Sequence, residues 1–240
     1  DDIDKALALA KVTVSEHWPL VRAVPPLLLW EHTVESASAL ALRALTNDTV
    51  MAGTRTWTEV PFGGDDARGA ATAAPWDTST PLVIPATSVR INGSIDRLDL
   101  REAGDFVRVT DYKTGKPPQN GVALTLDGGR ELQRVIYAIA TQALLPGPPK
   151  AVARLLCLQA DPPKDLKLAN VGSAIDATAT FVTESMRSLQ DGVFLLAGPD
   201  VAEEWNEYRL MRPASDAYLG RKSFAFGGVY RTLKKHWKEA

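Results

Sequence analysis

The fold is decided by the stretch VRVTDYKTGK at residues 107–116, together with GSIDRLDL at residues 93–100. Apolar and polar residues alternate in both stretches, and this alternation predicts half-buried β-strands. The residues between them, 101–105, are polar and contain a glycine, as is typical of a hairpin turn. We therefore expect an antiparallel β-hairpin at the centre of the protein.

The hairpin register places two acidic residues against each other. If the turn is centred on Ala103 and Gly104, Asp96 lies directly opposite Asp111, and Lys113 shares the face of Asp111. Opposed Cβ atoms lie about 4.5–5.5 Å apart, where two carboxylates repel each other unless a divalent cation lies between them. A two- or four-residue turn preserves this pairing, whereas a three-residue turn with a bulge shifts it by one. These three residues predict a metal-dependent hydrolytic centre.

Composition narrows the class of protein. The chain has 240 residues, 45% of them hydrophobic and 23% charged, which is ordinary for a globular protein. No apolar run reaches the roughly 18–20 residues that span a bilayer, so we expect no membrane association. The single Cys157 excludes an internal disulfide and a cysteine-rich metal cluster, and a cytoplasmic setting is the default expectation. The net charge of −2 argues against a protein that coats nucleic acid indiscriminately.

We expect a single α/β domain with a central mixed sheet flanked by helices. It has a helical segment over residues 1–50, an α/β core over 56–200 and a basic segment over 201–240. Within these bounds the patterns predict helices over 3–21, from 27 onward, 129–145 and 175–189, strands over 56–62, 89–100, 106–113, 152–159 and 166–171, and a flexible loop over 63–80.

Residues 221–240 carry six basic residues and one acid, so this part either follows a phosphate backbone or forms a solvated helix face.

Three spaced motifs resemble the RecB/AddB-type branch of the PD-(D/E)xK nuclease superfamily. They are Gly93-x-x-Asp96-Arg97-x-Asp99, Asp111-Tyr112-Lys113-Thr114-Gly115 and Gln133-x-x-x-Tyr137. In addition, Glu59 within WTEVPF resembles the acidic strand residue that precedes the metal motif in that branch. The resemblance covers about residues 57–145 and implies a restriction-endonuclease-like PD-(D/E)xK core.

The resemblance implies a Mg²⁺-dependent deoxyribonuclease, more an exonuclease than an endonuclease, in which Mn²⁺ can replace Mg²⁺. Asp96, Asp111 and the Tyr112 carbonyl would hold the metal. Lys113 would orient or help deprotonate the attacking water and steady the phosphate charge, and Glu59 would join this catalytic group. These roles agree with the preference of Mg²⁺ for carboxylate and carbonyl oxygens.

The third motif implies residues that bind the substrate. Gln133 and Tyr137 are four residues apart and share one face of a predicted helix, opposite its apolar stripe. There they would touch the DNA backbone or a base near the metal. By contrast, Asp99 faces away from Asp96 and is expected to pair with Arg97 or Arg108 in a structural role.

Proteins that this chain resembles usually form the nuclease module of helicase–nuclease enzymes that process broken DNA ends. The implied partners are therefore DNA and a helicase region of the same polypeptide or of a partner subunit. Two alternatives stay open: a catalytically silent DNA-binding or scaffolding module, and a free-standing defence nuclease. Several relatives carry an iron–sulfur cluster on four cysteines, which this sequence lacks. Many relatives also carry a metal-binding histidine on a helix upstream of the acidic strand, and neither His17 nor His32 lies in the sequence motif of that helix. We therefore expect an N-terminal extension that completes the metal shell.

Overall fold

The computed structural model describes residues 2–46, 53–64, 74–118, 121, 125, 126, 129, 131–147, 149–191, 217 and 221 of the 240-residue chain. Helices and strands follow in the order α1 (Asp2–Val21), α2 (Leu27–Thr46), β1 (Thr54–Phe62), β2 (Leu82–Val83), β3 (Arg90–Ile91), β4 (Gly93–Arg101), β5 (Phe106–Lys113), α3 (Gln133–Leu144), β6 (Lys150–Cys157), β7 (Lys164–Lys167) and α4 (Val171–Gln190). Most of the predicted basic segment 201–240, and residues 65–73 of the predicted loop, lie outside the described residues.

The main sheet is mixed and has five strands in the order β1-β4-β5-β6-β7. Only β5 and β6 run parallel; the other neighbouring strands are antiparallel. Parallel neighbours need a long crossover connection, and helix α3 lies in the one that joins β5 to β6. Strands β2 and β3 form a separate two-stranded sheet. The predicted mixed sheet flanked by helices is confirmed.

The β4–β5 hairpin has the register that the sequence predicts. Four residues, 102–105, separate the two strands, and the pairs run from Leu100–Val107 to Arg97–Thr110. Gly104 has a φ of +73°, which suits glycine, and its N–H donates to the Arg101 carbonyl at 2.8 Å. The even-numbered turn therefore preserves the pairing that sets Asp96 against Asp111.

The hydrophobic core lies between one face of the sheet and helices α3 and α4. Leu98 and Val109 are paired across the hairpin and fully buried, and they belong to the same cluster as Ala138 of α3 and Ile175 of α4. Helix α4 begins where the side chain of Asn170 accepts a hydrogen bond from the Ser173 N–H at 3.0 Å. This packing places α3 over β6 and over β5, the strand that carries Asp111.

The two N-terminal helices are separated at Pro25-Pro26, as predicted. They contact each other, and Lys11 of α1 pairs with Glu35 of α2. None of residues 2–21 of α1 is buried. Near its C-terminal end, α2 packs Ala44 against Leu156 and Leu158, and an Arg43 N–H donates to the Leu158 carbonyl at 3.1 Å. Among the described residues, no helix is long and apolar enough to cross a membrane.

Several boundaries differ from the sequence prediction, and the structure gives a physical reason for three of these differences. The strand predicted over 89–100 is divided at Asn92 because β3 pairs with β2, a short strand that the sequence analysis missed. Helix α3 begins at Gln133 rather than Gly129, since Gly129 has a φ of +94°, which a helix cannot contain. The strand predicted over 166–171 is instead β7, because Asn170 starts α4.

Candidate active site

Strands β4 and β5 stop pairing just before the two acidic residues. The last backbone pair is Arg97–Thr110, and the next would be Asp96–Asp111. At this point the Asp96 side chain takes the role of a backbone carbonyl of β4: its Oδ2 accepts a hydrogen bond from the Tyr112 N–H of β5 at 2.9 Å. Strand β5 keeps its support on the other side, where β6 pairs with it as far as Lys113. The structure thus brings both carboxylates together where the strands separate.

The neighbouring strand β1 is distorted at the same level of the sheet. Its pairing with β4 would set Glu59 opposite Asp96, and Glu59 has a φ of +50°, which is uncommon for a residue with a side chain. On β4, Ile95 and Leu98 are both fully buried in one core although they are three residues apart, so the usual alternation is interrupted at Asp96. The exposed Glu59 carboxylate accepts a hydrogen bond from the Ser94 hydroxyl at 3.3 Å. Its catalytic role stays a prediction.

Asp111 is a buried carboxylate, with 1% of its surface exposed. Burial raises its pKa from 3.8 to about 6. The ammonium of Lys113 opposes this rise, and the negative charges of Asp96 and Glu131 add to it. Asp111 is therefore strained electrostatically, as expected of a group that a cation would stabilise.

Lys113 lies beside Asp111 as the shared strand face predicts. Its Nζ is 2.8 Å from Asp111 Oδ2, and its side chain is about one-third exposed. This contact is an ion pair in which the ammonium partly offsets the cost of burying the Asp111 carboxylate. The same Nζ also donates to Oε1 of Gln133, the first residue of α3.

Tyr137 is the second residue of α3 that reaches the acidic group. Its hydroxyl donates to Asp96 Oδ1 at 3.3 Å, and its ring meets Phe62 edge to face with the centroids 6.3 Å apart. Burial, followed by the charges of Asp96 and Asp111, raises the pKa of Tyr137 far above its usual value, so its hydroxyl is protonated at neutral pH.

The predicted environment of Tyr137 is wrong. Gln133 is exposed as expected, but Tyr137 is 5% exposed and belongs to the hydrophobic core instead of lying opposite the apolar stripe. The reason is that the Tyr137 ring packs against Phe62 of β1 and its hydroxyl reaches Asp96 of β4, so this face of α3 is turned toward the sheet. Contact of either residue with DNA stays a prediction.

Two residues that flank Gln133 were missed by the sequence analysis. Glu131 is close enough to raise the pKa of Asp111, and its side chain is 14% exposed. Arg134 is 1% exposed and donates to the carbonyls of Gly121 at 2.8 Å and Leu166 at 3.2 Å. The available signal was their position in the sequence: Glu131 lies two residues before the third motif, and Arg134 is the second residue of that motif.

The residues present fit a magnesium ion. Mg²⁺ commonly uses one or two protein carboxylates and completes its octahedron with waters and substrate phosphates. Asp96 and Asp111 would supply the carboxylates, and the negative charge of the buried Asp111, which Lys113 offsets only in part, is one that a cation would stabilise. The described part of the chain contains no group of three or more His, Cys, Asp or Glu residues that could hold a metal. His17 and His32 are exposed on α1 and α2.

Asp99 has the structural role that the sequence predicts. It is 1% exposed and contacts both Arg97, at 3.0 Å, and Arg108, at 2.9 Å. Burial alone would raise the pKa of Asp99, but the hydrogen bond from Thr56 and the two guanidinium groups hold it below its usual value. This ionic cluster anchors β1, β4 and β5 at the level next to the acidic pair.

One comparison with known proteins identifies a family. The family model described as the PD-(D/E)XK nuclease superfamily matches residues 2–209 of the chain. The matched range includes every helix and strand given above and every predicted site residue. No curated protein matches the sequence.

Proposed function

The chain belongs to the PD-(D/E)XK nuclease superfamily, and on that premise we propose that it is a Mg²⁺-dependent nuclease that hydrolyses phosphodiester bonds of DNA. Nucleases of this superfamily usually use divalent metals such as Mg²⁺. The observation that carries the proposal is the grouping of Asp96, buried Asp111 and Lys113 at the point where β4 and β5 separate.

Each residue of this group has a proposed role. Asp96 and Asp111, with the Tyr112 carbonyl, would hold Mg²⁺ or Mn²⁺. When bound, such a cation lowers the pKa of water and neutralises charge that develops on the phosphate. Lys113 keeps its ammonium at the protein surface beside Asp111, where it can orient the attacking water and stabilise the phosphate charge. We propose Glu59 as a further acidic member of this group.

We further propose that the chain is of the RecB/AddB type and serves in the repair or recombination of double-strand breaks. In that setting it would be the nuclease module of a helicase–nuclease, act as an exonuclease, and work in the cytoplasm with a helicase region or subunit. The order of the three motifs, Asp96, then Asp111-x-Lys113, then Gln133-x-x-x-Tyr137, supports this branch.

A cleavage assay tests the proposal. The purified chain is incubated with linear and covalently closed circular DNA, each with Mg²⁺, Mn²⁺ or a chelator. We expect metal-dependent loss of linear DNA, no cleavage of the closed circle, and no activity in Asp111→Asn. Asp176→Asn is the matched control because this exposed carboxylate lies on α4 outside the site.

Two outcomes would redirect the proposal. Binding of DNA without cleavage under any metal condition would favour the silent scaffolding module. Cleavage of the closed circle would argue against the exonuclease assignment and favour a free-standing defence nuclease.

A further inference from the structure

Two side-chain hydrogen bonds connect helix α3 to the two strands that carry the acidic residues. Lys113 on β5 donates to Gln133 Oε1, and Tyr137 donates to Asp96 Oδ1 on β4. At one end Lys113 pairs with Asp111, and at the other Asp96 holds the backbone N–H that follows Asp111. Helix α3 therefore bridges the gap that opens where β4 and β5 stop pairing.

The chemistry of these groups fixes the direction of each bond. A lysine ammonium only donates, so Gln133 must present its carbonyl oxygen to Lys113. The buried Tyr137 hydroxyl gives its single proton to Asp96. The carbonyl of Gln133 and the hydroxyl of Tyr137 are thus both engaged within the protein.

The spacing of the two helical residues suits this bridge. Side chains four residues apart on a helix have Cβ atoms about 5–6 Å apart, so one helix face can reach two neighbouring strands. Tyr137 cannot also extend to a substrate, because its ring is buried against Phe62. The same contacts that hold the pair together remove Tyr137 from the surface that DNA would approach.

From these contacts we propose that Gln133 and Tyr137 are positioning residues: they act on the reaction through Lys113 and Asp96 rather than by holding DNA. This inference rests on the proposed nuclease function. The bridge holds the lysine and one carboxylate in a fixed relative position before the substrate arrives, which lowers the cost of reaching the reactive geometry.

Steady-state kinetics distinguish positioning from DNA binding. We expect Gln133→Met and Tyr137→Phe to lower kcat by about 10–100-fold and leave KM for DNA unchanged, because misplacement of a reacting group by about 1 Å can cost 100-fold. Gln142→Met is the control, since Gln142 is an exposed glutamine on the same helix. A raised KM with unchanged kcat would overturn the proposal and make these residues DNA ligands.

A double-mutant cycle tests whether Gln133 acts through Lys113. In a Lys113→Ala background, Gln133→Met should have little further effect on the cleavage rate, because the group it positions is gone. Multiplication of the two effects would show that Gln133 works independently of Lys113. Circular dichroism and thermal melting of each variant verify that the compared proteins are equally folded.

A measurement without DNA separates failure of this inference from failure of the proposed function. The ¹⁵N-resolved signal of the Lys113 ammonium should be protected from exchange with water in the wild-type protein, lose protection in Gln133→Met and keep it in Gln142→Met. If the wild-type protein cuts no DNA, the proposed function fails while this spectrum still tests the bridge. Equal protection in the wild type and Gln133→Met would refute the bridge even in an active nuclease.

Discussion

Replacement of Asp111 by asparagine should abolish metal binding and yet stabilise the metal-free protein at alkaline pH. The pKa of Asp111 rises from 3.8 in an unfolded chain to about 6 in the fold, chiefly through burial. The difference of roughly 2 pKa units corresponds to about 3 kcal/mol at 1.36 kcal/mol per unit. This is the cost of keeping the carboxylate charged at a position that is 1% exposed.

The sign of the pH dependence follows from the direction of this shift. Between pH 3.8 and about 6 the folded state binds a proton more readily than the unfolded state, so the wild-type protein loses stability as the pH rises through this window. Above pH 6 the cost is fully present, whereas below pH 3.8 it is absent. We therefore expect the free energy of unfolding of Asp111→Asn to exceed that of the wild type by up to about 3 kcal/mol at pH 8, and this difference should vanish near pH 4.

Thermal and urea unfolding in chelator at pH 8 and pH 4 measure this effect. For a chain of this size, each kcal/mol shifts Tm by about 2–4 °C. Added Mg²⁺ should stabilise the wild-type protein by binding to its folded state and leave Asp111→Asn unchanged, and calorimetry should detect Mn²⁺ binding only in the wild type. Asp176→Asn, an exposed control, should stay within about 0.5 kcal/mol of wild type. Lower stability of Asp111→Asn at pH 8, or a difference independent of pH, would refute the reasoning.

Three further predictions concern neighbouring residues. Lys113→Ala should fold, and its cleavage rate at saturating DNA should be roughly 100-fold or more below that of the wild type, because a positioned cation stabilises transition-state charge. A near-normal turnover rate would show that Lys113 is an ordinary surface lysine. Glu59→Gly should be more stable than Glu59→Ala by about 1 kcal/mol in urea unfolding, since the backbone φ at residue 59 is +50° and glycine adopts this conformation without strain. Both variants should lose activity to the same extent if the Glu59 carboxylate is catalytic. Asp99→Asn should lower the free energy of unfolding by about 3–5 kcal/mol in the same assay, because the buried guanidinium groups of Arg97 and Arg108 lose the carboxylate that they share. A decrease below about 1 kcal/mol would contradict this prediction.

The features that follow from the sequence are those with a local cause. The alternation of side chains along a strand determines the face of the sheet on which each residue lies. The even number of residues in the β4–β5 turn determines which residues are paired across the hairpin. Together they predict that Asp96, Asp111 and Lys113 come together, without knowledge of the rest of the chain. Pro25-Pro26 likewise separates α1 from α2, because proline cannot continue a helix as a hydrogen-bond donor.

The surroundings of these residues depend on segments distant in the chain. Burial of Tyr137 depends on Phe62, which comes more than seventy residues earlier and packs edge to face against the Tyr137 ring. Likewise, the division of the strand at Asn92 depends on pairing with β2. The pKa of Asp111 depends on burial and on through-space distances to Asp96, Lys113 and Glu131. The grouping of Asp96, Asp111 and Lys113 thus follows from the sequence, because strand geometry is periodic and local. Their protonation, hydrogen bonds and burial follow from the tertiary structure, because desolvation and Coulomb energy depend on all the atoms packed around them.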